Sequence, residues 1–162
     1  GCLSPLVEHG ALEVLTKACA RGGGKEEVKT AAAVALCNLL YDRSNHLCLL
    51  EGGVLDMLQA LVLSEKPEVV RPCAMAVNNL ALNGETWEQV MESPLFSSVV
   101  RLVGKDDTET RGHVLSAISI LSRSEEICRY LLESRIMDVF RQLRPACKPN
   151  SLNPGNEVEA GG

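Results

Sequence analysis

The amino-acid sequence predicts an all-α protein, folded as a right-handed superhelical solenoid of stacked three-helix units. Two observations lead to this fold class. Apolar residues make up 46% of the 162 residues and aromatic residues only 3%, and a mixture dominated by leucine, valine and alanine favours helices over a β-sandwich. The chain also repeats itself about every 41 residues. A unit of that size cannot bury its own apolar face, so the units must stack.

Two independent series of motifs carry the repeat. The segments Ala35–Leu40, Ala76–Ala81 and Ala117–Ser122 each begin with alanine and an aliphatic residue and have leucine in fifth place. They are spaced by 41 residues. In the second series, a glutamate ends a short apolar segment before a turn, and the steps between these glutamates are 43, 41 and 41 residues. The glutamates are Glu8, Glu51, Glu92 and Glu133. Because both series stay in phase, each unit is predicted to contain the same helices.

Each predicted unit has a short first helix, a second helix and a longer third helix. The first helix ends at the glutamate motif, where glycine or another small residue allows a tight turn. Apolar residues at helical spacing predict the second helices at Ala11–Ala20, Val54–Leu63, Leu95–Val103 and Ile136–Leu143. The third helices are predicted at Glu26–Tyr41, Pro67–Leu82 and Thr108–Ser122.

Three residues predict details of the third helices. Pro67 suits the first position of a helix. Pro72 lies inside the same helix and predicts a kink or a frayed first turn. Asp106 precedes Glu109 by three residues, which predicts a capping box at the start of the last third helix.

The segments Glu51–Leu55 and Ala76–Leu80 resemble the core motifs of armadillo repeats. The resemblance extends from Leu3 to about Leu143 and implies a protein-interaction fold without catalysis. It predicts one repeat domain over residues 1–144, with units at about 3–43, 44–84 and 85–124 and a partial unit at 125–144. The first helix, Leu3–Glu8, is short in this scheme. Residues 145–162 lack periodicity, contain three prolines and are predicted to be a disordered tail or linker.

The sequence contains no recognisable catalytic or metal-binding motif. The three histidines share no metal-binding spacing, and Gly22–Lys25 lacks the rest of a phosphate-binding loop. We therefore expect no catalytic residue, no metal and no cofactor. The seven cysteines stand singly, which is typical of a reduced compartment, so a cytoplasmic or nucleocytoplasmic location is expected. The net charge of −5 argues against nucleic-acid binding, and no apolar run is long enough to span a membrane.

The third helices are predicted to line a concave groove. Asn38 and Asn79 occupy one position in two units, and the family resemblance implies that such amides hold the backbone of an extended partner segment. Alternatively, these asparagines tie neighbouring helices together. Ile120 takes this position in the third unit. The predicted partner-binding residues around the two amides are Val34, Cys37, Tyr41, Arg71, Met75, Asn78, Ser116 and Arg123. With Arg71 and Arg123 as cations, this surface suits an amphipathic or weakly acidic segment.

Two other functions are compatible with the sequence. The chain could be a scaffold or regulatory subunit that docks through its ends or convex face, with uncapped ends covered by further repeats or by self-association. A function of another class would be a cysteine-based redox sensor or enzyme that uses Cys37.

Overall fold

The structure is a computed structural model that describes residues 10–21, 25–133, 137–138 and 141. This part of the chain contains nine α-helices and no strand. Single 3₁₀ turns at Arg43–Asn45 and Leu102–Gly104 precede the third helix and follow the seventh. In chain order the helices are α1 (Ala11–Arg21), α2 (Glu26–Leu39), α3 (His46–Glu51), α4 (Val54–Val62), α5 (Pro67–Ala81), α6 (Trp87–Glu92), α7 (Pro94–Arg101), α8 (Thr108–Leu121) and α9 (Glu125–Glu133).

The helices of successive units stack in two layers. The three long helices lie side by side, with α2 packed along α5 and α5 packed along α8. In the layer of shorter helices α4 packs against α7, and both also contact α5. This arrangement confirms the predicted all-α solenoid. None of the helices in the described part has the length and apolar character that crossing a bilayer requires.

Small side chains allow the long helices to pack closely. Ala33 and Ala74 hold the same position in successive units, and both are fully buried. Leu115 holds that position in α8 but is 49% exposed. Since no further long helix follows α8 in the described part, this position is the one that each long helix presents to the next. A larger residue at Ala33 or Ala74 would push neighbouring units apart.

Most helix boundaries lie within two residues of the predicted ones. The long helices end at Leu39, Ala81 and Leu121, one or two residues early, because the final turn is completed outside the regular helix. α5 is helical from its first residue through Pro72, so of the two effects expected of Pro72, a kink or a frayed first turn, the frayed turn is not found and the kink stays a prediction.

Several sequence predictions lie outside the described residues. They are the first helix at Leu3–Glu8, the Gly22–Gly24 loop, most of Ile136–Leu143, and the tail from 145 to 162. The domain limit at 144 and the unit limits stay predictions.

Glycine provides the tight turn between α3 and α4, as predicted. Gly53 has φ +84 and ψ +27, a left-handed conformation that residues with a Cβ rarely adopt. Gly10 has φ +78 at the corresponding point before α1. Between α6 and α7 a different solution is used, since Ser93 is extended and Pro94 begins the helix.

Buried side chains donate hydrogen bonds to the last carbonyl groups of the long helices. The side-chain amide of Asn45 donates to the Leu39 carbonyl oxygen at 2.9 Å. One repeat later, the Thr86 hydroxyl donates to the Leu80 carbonyl oxygen at 2.7 Å. Both residues are buried, where an unpaired carbonyl would be costly.

The next residue in the repeat satisfies a second carbonyl. His46 is fully buried, and its Nε2 lies 2.8 Å from the Leu40 carbonyl oxygen. Its Nδ1 lies 3.3 Å from the Asn83 amide nitrogen, so the ring accepts at Nδ1 and donates at Nε2. Two repeats further on, the Cys128 thiol donates to the Ser122 carbonyl oxygen at 3.0 Å. The residue at this repeat position therefore donates to the carbonyl group six residues earlier in both units, although it is histidine in one and cysteine in the other.

The N-terminal cap of α8 is Asp107, and the prediction of Asp106 was wrong by one residue. The Asp107 carboxylate accepts hydrogen bonds from the backbone N–H and the hydroxyl of Thr110. It also binds Arg71 of α5, with Arg71 Nη2 2.9 Å from Asp107 Oδ1. Asp106 is instead fully exposed. The cap of one long helix is thus also an ion pair with the neighbouring long helix.

We expect Gly53→Ala to lower the free energy of unfolding by about 1–2 kcal/mol, the cost of a left-handed conformation for a residue with a Cβ. No atom lies within 4 Å of a Cβ placed there, so the loss would come from backbone strain alone. Urea unfolding measures it. Gly84→Ala is the matched control, because a Cβ there also meets open space and its φ is not positive. Equal effects of the two substitutions would contradict the prediction.

We expect Asp107→Asn to be destabilising at neutral pH and progressively less so in acid. Hydrogen bonds from Arg71 and Thr110 lower the pKa of Asp107 from 3.8 to about 2. A carboxyl with a lowered folded-state pKa stabilises the fold above its unfolded-state pKa, and this contribution disappears as the pH falls from about 4 to about 2. Asparagine caps helices about as well as aspartate, so the substitution isolates the charge.

Urea unfolding at about pH 7, 4 and 3 tests this prediction. Asp106→Asn, which removes a fully exposed carboxylate one residue away, is the control and should change stability little at any pH. If Asp107→Asn lowers the free energy of unfolding by the same amount at all three pH values, the charge of Asp107 is not the cause.

Candidate functional site

Side chains at equivalent positions of the long helices form one exposed surface, which we call the groove face. Its first row is Val34, Met75 and Ser116, all exposed. In the second row Asn38 is exposed, while Asn79 and Ile120 are half-buried. The third row consists of Tyr41, Leu82 and Arg123, all exposed, with Tyr41 at 78%.

A pocket of about 330 Å³ opens on the groove face between α2, α5 and α8. Five of the ten predicted partner-binding residues line this groove pocket: Val34, Cys37, Asn38, Arg71 and Met75. Tyr41, Asn78, Asn79, Ser116 and Arg123 do not line it. The remaining lining residues are Glu68, Pro72, Glu109 and His113.

The asparagine side chains of this region have no hydrogen-bond partner among the described residues. No side-chain hydrogen bond is made by Asn38, and the buried Asn78 Oδ1 and Asn79 Nδ2 atoms have no partner. The alternative that these amides tie neighbouring helices together therefore lacks a supporting bond in the described part of the chain.

Arg71 is bound within the protein, although it was expected to be available to a partner. Its Nε lies 3.0 Å from Asp107 Oδ2 and its Nη2 lies 2.9 Å from Asp107 Oδ1. Its Nη1 lies 3.0 Å from Glu109 Oε2. Such paired, two-pronged binding fixes the guanidinium plane. Arg71 therefore links α5 to α8 and holds one wall of the groove pocket in place.

Sequence reasoning missed a row of glutamates at the start of the long helices. Glu27, Glu68 and Glu109 are spaced by 41 residues and all are exposed. Glu68 and Glu109 line the groove pocket. The spacing was the signal that could have revealed this row. It went unused because first-turn glutamates are common for reasons of helix stability alone.

The cysteines give little support to thiol chemistry. Cys37 is only 5% exposed, and burial raises the pKa of its thiol, which disfavours the reactive thiolate. Burial, with a smaller effect of Cys37, raises the pKa of Cys73 to about 12. Cys19, Cys37, Cys73 and Cys128 are free, whereas Cys48 is disulfide-bonded, contrary to the expectation of reduced cysteines. No group of three or more potential metal ligands occurs among the residues that the structure describes.

Comparisons with known proteins identify solved structures with a similar fold. No protein-family model matches the chain, and no curated protein matches it. Among solved structures, a computationally designed armadillo repeat protein for modular peptide recognition is 26% identical, with a TM-score of 0.72 over 86% of this chain. A designed armadillo repeat protein in complex with the peptide (KR)4 is 25% identical, with a TM-score of 0.71 over 92% of this chain.

A third designed armadillo repeat protein is 26% identical, with a TM-score of 0.69 over 90% of this chain. The chain spans 59–61% of the length of these designed proteins. The 41-residue motifs, the three-helix units and these similarities agree: the chain has the fold of the armadillo-like repeat proteins.

Proposed function

We propose that this chain is a protein–protein interaction module that binds an extended segment of a partner protein on the groove face. The observation that carries the proposal is the groove pocket, which is bordered by the exposed amide of Asn38 and opens between three long helices. Of the designed proteins similar in structure, one was made for modular peptide recognition and another is in complex with a peptide, which supports binding as the function.

The asparagines suit the backbone of an extended chain. Each residue of such a chain carries one N–H donor and one C=O acceptor, and a single amide side chain can bind both. Neighbouring long helices are about 8–10 Å apart, which corresponds to about three residues of extended chain at ~3.3 Å each. The exposed amide of Asn38 could therefore bind both backbone groups, and the half-buried Asn79, one helix along, could accept from the next backbone N–H through Oδ1, since its Nδ2 is buried.

Exposed apolar residues supply the other part of the binding energy. Val34 is 43% exposed, Met75 38% and Tyr41 78%. Covering apolar surface contributes about 25 cal/mol per Å². Because these side chains stand on packed helices, little ordering would be needed when a segment binds, and preorganisation of this kind favours affinity.

We expect the double substitution Asn38→Ala/Asn79→Ala to abolish the selection of peptides that the native chain binds. Selection from a displayed library of random peptides, about twelve residues long and so able to cross three helices, measures this. The control is Asp56→Ala/Gln89→Ala, which changes exposed residues of α4 and α6, outside the long helices. Equal urea unfolding midpoints would exclude a loss of folding.

The library also separates the groove from the convex-face alternative. Peptides that bind the Asn38→Ala/Asn79→Ala chain normally and lose binding to the Asp56→Ala/Gln89→Ala chain would contradict the proposal. Exposed Leu47 and Leu63, both outside the long helices, would then be the next residues to test.

We expect Cys37 and Cys73 to react slowly with a bulky thiol reagent in the native state, and Cys19 and Cys128 to react faster. Burial raises the thiol pKa values of Cys37, Cys73 and Cys19, but Cys37 and Cys73 are buried and hard for the reagent to reach, whereas Cys19 and Cys128 are half-buried. Mass spectrometry of peptides after timed labelling gives the order, and labelling in urea shows that each thiol can react. A fast native reaction at Cys37 would instead support the redox function.

A further inference from the structure

The turn between α5 and α6 contains Asn83 followed by Gly84, the only Asn-Gly pair in the sequence. An asparagine side chain is open to attack at Cγ by the backbone nitrogen of the next residue, and this attack forms a cyclic imide. Glycine presents that nitrogen without a Cβ in the way. Gly84 is exposed, and no atom lies within 4 Å of a Cβ placed there, so water can reach the site.

The side chain of Asn83 is folded back over the peptide group that would attack it. Its Oδ1 accepts a hydrogen bond from the backbone N–H of Glu85 at 3.1 Å. Because this bond spans the peptide between Asn83 and Gly84, it keeps Cγ beside the Gly84 nitrogen. The same N–H is placed to stabilise the negative charge that develops on Oδ1 when the nitrogen attacks.

The attacking nitrogen has no other hydrogen-bond partner. The backbone N–H of Gly84 donates to no residue in the described part of the chain. By contrast, the nitrogens that follow Asn38 and Asn78 lie inside α2 and α5, where each donates to a carbonyl group of the preceding turn. Asn83 therefore differs from those two asparagines in the availability of the nucleophile and in the size of the residue that carries it.

We propose that Asn83 is a site of spontaneous deamidation, which converts it into aspartate or isoaspartate and breaks its hydrogen bond to His46. The Gly84 nitrogen bonds to Asn83 Cγ, the Cγ–Nδ2 bond breaks, and Nδ2 leaves as ammonia with the proton that the Gly84 nitrogen gave up. Water then opens the cyclic imide at either of its carbonyl groups. The ring opening leaves a carboxylate, and the ammonia takes up the proton that is released.

The amide of Asn83 ties this turn to α3 through His46. Asn83 Nδ2 donates to Nδ1 of His46, 3.3 Å away, and His46 is fully buried. A carboxylate has no hydrogen to donate, so after deamidation two acceptors face each other unless the buried ring takes up a proton, which is itself costly. The contact between α3 and the turn before α6 should therefore weaken.

Timed incubation of the full chain in mildly alkaline, isotopically labelled water tests the reaction. Mass spectrometry of its peptides gives the rate at each asparagine, and label in the product shows that the new oxygen came from water. We expect Asn83 to react at least about tenfold faster than Asn38 or Asn78. Gly84→Ala should slow the reaction at Asn83 about tenfold, because a Cβ hinders the attack although the fold has room for it.

The substitution Asn83→Asp tests the consequence of the reaction. Aspartate keeps the acceptor for the Glu85 N–H and loses the donor to His46. We expect the urea unfolding midpoint to fall by about 0.5 M, the effect of one lost hydrogen bond. Asn38→Asp makes the same change in charge at an exposed side chain and should leave the midpoint nearly unchanged.

Equal rates at Asn83 and at the two helical asparagines would overturn the proposal. A rate at Asn83 that Gly84→Ala leaves unchanged would also overturn it, since the amide would then be hydrolysed directly. Equal midpoints of Asn83→Asp and Asn38→Asp would overturn the loss of the His46 bond as the consequence. None of these results depends on the groove face, so the proposed function is tested separately.

Discussion

Packing between successive long helices holds the units of this protein together. A single three-helix unit leaves one side of its long helix without a partner, so each unit is completed by the next. Fully buried Ala33 and Ala74 keep this contact short, and the exposure of Leu115 shows what happens where the next long helix is missing from the described part. The same packing aligns α2, α5 and α8, so that their free sides make up the groove face.

At the ends of the long helices, equivalent positions keep a hydrogen-bond donor although the residue type changes from unit to unit. Asn45 and Thr86 both donate to the carbonyl group six residues earlier, as do His46 and Cys128 at the next position. An amide, a hydroxyl, an imidazole and a thiol have little else in common. What they share is a hydrogen-bond donor, placed where the last carbonyl groups of a helix have no backbone N–H to bind.

The Arg71 network joins the stability of the stack to the character of the groove. Its guanidinium pairs with the residue that caps α8, so the start of one long helix is fixed against the second turn of its neighbour. That pairing uses the cation and leaves the surrounding carboxylates in excess. The net charge that a ligand would meet in the groove pocket therefore depends on which charges pair inside the protein, and not on how many charges of each sign the long helices carry.

The fold class, the period of the stack, the tight turn at Gly53 and most helix boundaries are predictable from the sequence, because periodic apolar residues and glycine act through local rules. The sequence also placed Val34, Asn38 and Met75 on one face, since equivalent repeat positions share a direction. Only the tertiary structure decided that Asp107 and not Asp106 caps α8, that Arg71 is neutralised, and that Glu68 and His113 border the same pocket. The pairing of Arg71 and the lining of the pocket depend on distances between side chains of different units, which no local pattern encodes, and the cap depends on the exact residue at which α8 begins.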